Sequence, residues 1–133
     1  MRRAFVGILV VTTVMAAVTS TVDARYKGPA AQTHLGPITW QRSGTGGPVT
    51  LIEATITSTK SKCLAGRKID IQTGPSETLQ SPFGSGTTDA GGHFSISGST
   101  TNDYYSVYVA KVKVGKLLCR TTAAYGRFSA GTP

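Results

Sequence analysis

The sequence predicts a small all-β domain, an antiparallel β-sandwich of about seven strands, that follows an N-terminal signal peptide. Short runs of alternating apolar and polar residues, separated by turn-forming Gly, Pro, Asn and Asp, predict the strands. After residue 24, no window of about eleven residues has apolar positions at the i, i+3, i+4 and i+7 spacing of an amphipathic helix. Together these observations indicate two packed sheets rather than a helical domain.

The first 24 residues have the three parts of a secretory signal peptide. Arg2 and Arg3 give a positive start, and residues 4–18 form an apolar run without charge. Val22 and Ala24 occupy the −3 and −1 positions of a small-residue cleavage site. Because a transmembrane helix needs about 20 apolar residues, this shorter run predicts a cleaved leader and a secreted, extracellular chain.

The mature chain is expected to have two parts. Residues 25–48 are rich in Gly and Pro and are predicted to form a loosely structured lead-in, with a short strand around residues 38–40. Residues 49–133 are predicted to form the sandwich domain. In its first strands the inward-pointing residues are expected to be Ile52, Ala54 and Ile56, then Ile69 and Ile71, then Phe94 and Ile96.

The remaining pattern combines loops with longer strands. Residues 73–86 contain two prolines and three glycines, which predicts a long polar loop. Residues 104–114 are the longest strand candidate, and a change of the buried face predicts a bulge or bend near Ala110. A hairpin turn at Gly115 and Lys116 then leads to a strand over residues 117–125.

Cys63 and Cys119 are predicted to form a disulfide. Both belong to the exported part of the chain, where oxidising conditions let disulfides persist, and one pair leaves no unpaired thiol. The alternatives are a metal site or a reactive thiol, but no further ligands occur at metal-binding spacing. We therefore expect a structural bridge that supports a modest core.

The mature chain is strongly basic. Removal of residues 1–24 leaves twelve Lys and Arg against five Asp and Glu, a net charge of about +7. Such a charge favours polyanions such as acidic cell-wall polymers, anionic lipids or nucleic acid, although spread charges also serve solubility. The densest basic groups are Lys60/Lys62, Arg67/Lys68 and Lys111/Lys113/Lys116/Arg120. The candidate contact surface is the hairpin with Lys111, Lys113 and Lys116.

No catalytic or metal-binding arrangement is predicted. The two histidines, His34 and His93, are far apart in sequence, and there is no Gly-x-Ser-x-Gly nucleophile elbow. Glu53 and Asp70 alternate with apolar residues, which indicates exposed strand faces rather than a glycosidase pair. Asp89 stands alone in its loop, which favours turn capping over calcium binding. We expect no catalytic residue, cofactor or metal.

Three motifs follow one another between the two cysteines. They are Gly66-Arg67-Lys68-Ile69-Asp70-Ile71, Thr88-Asp89-Ala90-Gly91-Gly92-His93-Phe94 and Tyr104-Tyr105-Ser106-Val107-Tyr108-Val109. In this order they resemble bacterial exported domains of the carboxypeptidase-regulatory-like, or transthyretin-like, β-sandwich group. The resemblance covers about 75 residues, Val49 onward. It implies an Ig-like sandwich and export, but no activity, because such domains serve as accessory, spacer or binding modules.

The functional expectation is a secreted, non-catalytic binding or structural module. Its expected partner is an acidic cell-wall polymer or another secreted protein. Tyrosines followed by lysines in 104–116 also suit single-stranded nucleic acid, but a tyrosine-rich strand is typical of a sandwich, so nucleic acid is disfavoured. A second class stays open: a secreted enzyme inhibitor that uses the 73–86 loop, or a small hydrolase.

Overall fold

Strands dominate the computed structural model, which describes residues 28–128. The predicted signal peptide, residues 1–24, lies outside the described residues. The strands are β1 Ala30–Ala31, β2 His34–Leu35, β3 Thr39–Arg42, β4 Val49–Thr57, β5 Lys68–Gly74, β6 Ser81–Thr87, β7 His93–Thr100, β8 Tyr104–Val109, β9 Val112–Val114, β10 Leu117–Cys119 and β11 Thr122–Arg127. One 3-10 turn, η1, covers Ser61–Cys63. Within residues 28–128, no helical segment has the length and hydropathy that a membrane span requires.

Two antiparallel sheets pack face to face. The first has the order β11-β8-β5-β6. In the second sheet, β4 is the central strand and pairs with β7 along one edge. Along its other edge it pairs with β2 and with β3, which lie one after the other. A third, smaller sheet has the order β1-β10-β9, with β1 parallel to β10. The predicted all-β, sandwich-like fold is therefore confirmed.

The core lies between the inner faces of the two large sheets. Alternation along each strand places every second side chain inside, which is the reason that the apolar periodicity predicts burial. The buried residues are Ile52, Ala54, Ile56, Phe94 and Ile96 from one sheet and Ile69, Ile71, Val107 and Val109 from the other. All seven inward residues predicted for the first strands belong to this core.

Three aromatic rings close the core at one end. Trp40 lies 5.2 Å from Phe128 and 6.2 Å from Tyr105, measured between ring centroids. Tyr105 and Phe128 are 4.9 Å apart, so each ring contacts the other two. Burial raises the pKa of the Tyr105 hydroxyl above its usual 10.0, because desolvation disfavours the phenolate.

The turn before β7 shows why its motif is needed. The Asp89 carboxylate accepts hydrogen bonds from the backbone amides of Gly91 and His93, both at 2.9 Å, as expected for turn capping. Gly92 has a φ of +86°, and a Cβ there would lie 2.8 Å from the Ile56 carbonyl oxygen. Only glycine fits this close approach to β4 without strain.

The Thr88 hydroxyl joins this turn to the segment after η1. It donates to the carbonyl of Leu64 and accepts from the amide of Arg67 at 2.8 Å. The backbone of Thr88 pairs with Arg67 as well, and its carbonyl accepts from Gly66. The first two motifs are thus bound directly to each other, and they fix the chain immediately before β5.

The prediction of a long loop over residues 73–86 is wrong for its second half, which forms strand β6. The glycines of β6 make the strand hard to predict from sequence, because glycine is uncommon in strands. Glycine is needed there because the space is limited: a Cβ at Gly84 would lie 2.8 Å from the Ile96 side chain. Pro82 is compatible with β6, which is an edge strand of its sheet. The loop that connects β5 to β6 is therefore shorter than predicted and covers residues 75–80.

The strand count exceeds the predicted seven for identifiable reasons. Part of the expected loose lead-in forms β1, β2 and β3, which pair with β10 and β4. The candidate over 104–114 bends at Ala110, as predicted, and its two halves, β8 and β9, belong to different sheets. The candidate over 117–125 is likewise divided into β10 and β11.

Candidate binding surface

Residues 111–119 form a hairpin, called the basic hairpin below. Strands β9 and β10 pair with Val114 opposite Leu117, so Gly115 and Lys116 form a two-residue turn. Gly115 has a φ of +62°, which suits the first position of a type II′ hairpin turn. The predicted turn is therefore confirmed.

The structure brings the three predicted contact lysines onto this one hairpin. Lys113 lies in β9, Lys111 precedes that strand, and Lys116 lies in the turn, and all three are exposed. The neighbouring Val112 and Val114 are each 37% exposed, so the whole of β9 is exposed to solvent. The η1 turn lies against β9 and carries the exposed Lys62.

A disulfide between Cys63 and Cys119 joins the basic hairpin to η1. The two Cα atoms are 5.4 Å apart, and both cysteines are fully buried. Together with Ala31 they form a second, smaller apolar cluster beneath the hairpin. The predicted bridge is thus confirmed, and it fixes the end of β10.

Arg67 is the second anchor, and it is completely buried. Its Nη1 donates to the Thr33 hydroxyl and to the Cys63 carbonyl, both at 2.9 Å. Its Nη2 donates to the carbonyl oxygens of Ala110 at 2.9 Å and Arg120 at 2.8 Å, and Nε also reaches Ala110 at 3.3 Å. One guanidinium therefore binds four separate segments of the chain.

Those four segments frame the basic hairpin. Ala110 immediately precedes it, Arg120 immediately follows it, and Cys63 carries the disulfide. Thr33 follows β1, the strand that pairs with β10. Arg67 thus holds both ends of the hairpin and the strand beside it. The planar fork of the guanidinium suits this task, since it offers five donors in a fixed geometry.

The acceptors of Arg67 are all neutral oxygens. Among residues 28–128, no carboxylate lies within ion-pair distance of its guanidinium. Burial lowers the pKa of Arg67 below its usual range, because desolvation disfavours the charged form. Arginine stays protonated in proteins, so the side chain is a buried cation solvated by carbonyl dipoles and one hydroxyl. Its role is to hold structure together, and it offers no group to an external ligand.

Arg67 and Lys68 form one of the densest basic groups in the sequence, but the structure separates them, since Arg67 is buried and Lys68 is exposed. Alternation along the strand carried the missing signal, since Arg67 has the same parity as the inward Ile69 and Ile71.

In residues 28–128, neither histidine side chain is hydrogen-bonded to a serine. His93 lies between two carboxylates, with Nε2 at 3.5 Å from Glu53 and Nδ1 at 4.0 Å from Asp89. His34 is in β2 and is exposed. No group of three or more His, Cys, Asp or Glu side chains in residues 28–128 is arranged to hold a metal ion.

Comparison with known proteins adds no relative. No protein-family model matches the chain, and the searches of curated proteins and of solved structures also find no match.

Proposed function

We propose that this protein is an exported, non-catalytic binding module that contacts an anionic polymer through the basic hairpin. Two features of the basic hairpin together carry the proposal: its lysines are exposed, and its backbone is anchored at both ends. The disulfide and the buried Arg67 hold both ends of the hairpin, while Lys111, Lys113 and Lys116 remain at the surface.

Charge favours an anionic partner. The mature chain has a net charge of about +7, and the hairpin concentrates three lysines in six residues. Lys60 and Lys62, at the start and within η1, extend this basic region on the body of the domain. A cluster of one sign raises the local concentration of oppositely charged ligands and speeds their association.

Anchoring favours binding by lowering its entropic cost. A flexible hairpin loses conformational freedom when it meets a ligand, and this loss subtracts from the affinity. Here β10 is already fixed by pairing with β1, by the disulfide and by Arg67. The lysines therefore extend from a preformed backbone, as a recognition surface requires.

Two further features support export and a transthyretin-like sandwich. The disulfide is typical of oxidising compartments, and the leader has the parts of a signal peptide. The resembling motifs occupy structural positions: Thr88 and Asp89 bind backbone amides, and Gly92 allows a close backbone approach. These residues build a scaffold, which fits a binding module better than an enzyme.

Replacing Lys111, Lys113 and Lys116 together with glutamine is expected to weaken binding to a polyanion roughly a hundredfold at low salt. The estimate takes about 1 kcal/mol for each lysine at an anionic surface. Affinity for fluorescently labelled polyglutamate, measured by anisotropy over a series of salt concentrations, tests this. The wild-type affinity should fall steeply with salt, and the variant's affinity should fall less.

Two controls make this test specific. The triple lysine-to-arginine variant keeps the charge and should bind like the wild type. Arg127→Gln removes one positive charge on β11, outside the hairpin, and should have a much smaller effect. Equal binding by the wild type and the triple glutamine variant, or no salt-dependent binding by either, would contradict the proposal.

A further inference from the structure

The outer face of the β11-β8-β5-β6 sheet carries a set of exposed tyrosines that the core does not use. Alternation along β8 buries Val107 and Val109 and turns Tyr104, Ser106 and Tyr108 outward. Tyr108 is 48% exposed, and Tyr125 of the neighbouring β11 is 73% exposed. These are large, partly apolar rings on an otherwise polar sheet face.

Tyr108 stands between two grooves and lines both. The larger has a volume of about 460 Å³ and runs beside β5 and β6, with Lys68, Asp70, Ser85 and Thr87 in its lining. The smaller has a volume of about 220 Å³ and runs towards the basic hairpin, with Gln32, Lys111, Arg120 and Thr121 in its lining. A single aromatic ring thus has hydrogen-bonding groups on each side.

This arrangement matches the surface chemistry of a sugar ring. One face of a pyranose is covered by C–H groups, which pack against the negatively polarised face of an aromatic ring. Hydroxyl groups project from the edge of the pyranose and need both donors and acceptors. Asp70, Ser85 and Thr87 offer these on one side of Tyr108, and Gln32 and Thr121 on the other.

Charge selects the class of sugar. Three cationic side chains, Lys68, Lys111 and Arg120, line the two grooves against one carboxylate, Asp70. We infer that the outer sheet face binds an acidic polysaccharide, with a sugar ring stacked on Tyr108 and its carboxylates directed to the groove cations. The inference rests on the proposed function and names the polymer's chemistry, since Lys111 belongs to both the groove and the hairpin.

The register of the sheet adds a second position for a ring. Tyr108 pairs with Ala123 and Ser106 pairs with Tyr125, so Tyr108 and Tyr125 are diagonal neighbours across β8 and β11. Diagonal neighbours in an antiparallel pair lie about 7–8 Å apart, which is within reach of one short oligosaccharide. Tyr104 is less available for stacking with a sugar ring, because the Arg127 guanidinium carbon lies 5.1 Å from its ring centroid.

A polysaccharide fits these grooves better than single-stranded nucleic acid does. Nucleic-acid sites combine stacking rings with a cationic path for a phosphate at every nucleotide. Here the three cations are divided between two grooves and Asp70 lies in the larger one, so the face offers no continuous cationic path, whereas the Asp70 carboxylate can accept hydrogen bonds from sugar hydroxyls. Hydroxyl-bearing side chains lie beside the cations in both grooves. Ser85 and Thr87 accompany Lys68 in the larger groove, and Thr121 accompanies Lys111 and Arg120 in the smaller one.

The test is calorimetric titration of the oxidised protein with a β-1,4-linked glucuronate oligomer. Tyr108→Ala is expected to weaken this binding about tenfold, whereas Tyr108→Phe keeps the ring and should bind like the wild type. Leu79→Ala, a truncation of another exposed apolar side chain, should leave binding unchanged. Thermal unfolding of each variant shows that the fold is intact.

Matched probes separate the possible ligands. The neutral cellulose oligomer of equal length should bind more weakly than the glucuronate oligomer, because it lacks the carboxylates. Polyglutamate carries carboxylates without sugar rings, so Tyr108→Ala should not change its affinity. Tighter binding of oligothymidylate than of the glucuronate oligomer would overturn the inference in favour of nucleic acid, and so would unchanged glucuronate binding by Tyr108→Ala.

The two proposals can fail separately. The Lys113→Gln/Lys116→Gln variant changes the hairpin without touching a residue that lines either groove. If this variant loses binding to both polyanions while Tyr108→Ala binds normally, the hairpin proposal stands and the sugar site is wrong. If only Tyr108→Ala loses glucuronate binding, the protein still binds an acidic polymer, at the sugar site, but the basic hairpin is not its contact surface.

Discussion

Arg67→Met is expected to lower the free energy of unfolding by about 3–5 kcal/mol, because four acceptor oxygens would lose a charged donor and each unsatisfied buried acceptor costs about 1 kcal/mol or more. Methionine retains most of the apolar volume but has no donor. The oxygens of Thr33, Cys63, Ala110 and Arg120 would all lose their guanidinium partner. Urea unfolding measures the change as a lower midpoint at an unchanged slope.

The neighbouring Lys68→Met is the matched control. Lys68 is exposed, and surface substitutions of this kind usually change stability by less than about 0.5 kcal/mol. Arg67→Lys keeps the charge but loses the planar fork of donors. Its free energy of unfolding should therefore fall by most of the amount expected for Arg67→Met. An Arg67→Met midpoint equal to that of Lys68→Met would show that the hydrogen bonds of Arg67 do not stabilise the fold.

Loss of the disulfide is expected to lower the free energy of unfolding by roughly 4 kcal/mol on the chain-entropy model. The bridge joins residues 56 positions apart, and it fixes the third sheet to η1. Replacement of Cys63 and Cys119 by alanine tests this, again by urea unfolding. The expected loss is a large fraction of the stability of a domain of this size.

Reduction of the wild-type protein provides the control for that double variant. Reduction removes the cross-link but keeps both sulfur atoms, so it separates the effect of the bridge from the effect of the cavity that alanine leaves. The reduced protein should lose most of the same stability. Identical unfolding midpoints for the oxidised and reduced protein would mean that the bridge contributes nothing to folding.

The alternating strands of the core were predictable from sequence, since residue parity alone assigns the buried side chains. Ile52, Ile69 and Phe94, for example, point inward as their position in each run indicates. The bend at Ala110 was predictable for the same reason, because the apolar face changes there. These features depend on local alternation, which a sequence displays directly.

Features that depend on contacts between distant segments were not predictable. Strand β6 has glycines because Ile96 of β7 fills the space beside Gly84, and nothing in residues 81–87 alone indicates that neighbour. Strands β1 and β2 are two residues long and exist through pairing with β10 and β4. Their short sequences carry no periodicity of their own.

The candidate binding surface was half predictable. The lysines of the basic hairpin follow from the sequence, because a glycine turn between two short runs indicates a hairpin. Its anchoring does not, because the acceptors of Arg67 are mainly backbone carbonyls, which are chemically the same at every position. The position of Tyr108 between two grooves depends on the pairing of β8 with β5 and β11.

Site-resolved amide hydrogen exchange tests most directly whether Arg67 holds the basic hairpin on the sandwich. In wild-type protein the amides of Leu118 and Arg120 donate to Pro29 and Ala31, while the amide of Ile56 reports on β4. In Arg67→Met, with the disulfide intact, protection of Leu118 and Arg120 should fall further than that of Ile56. Equal losses at all three amides, or wild-type protection at Leu118 and Arg120, would contradict the account.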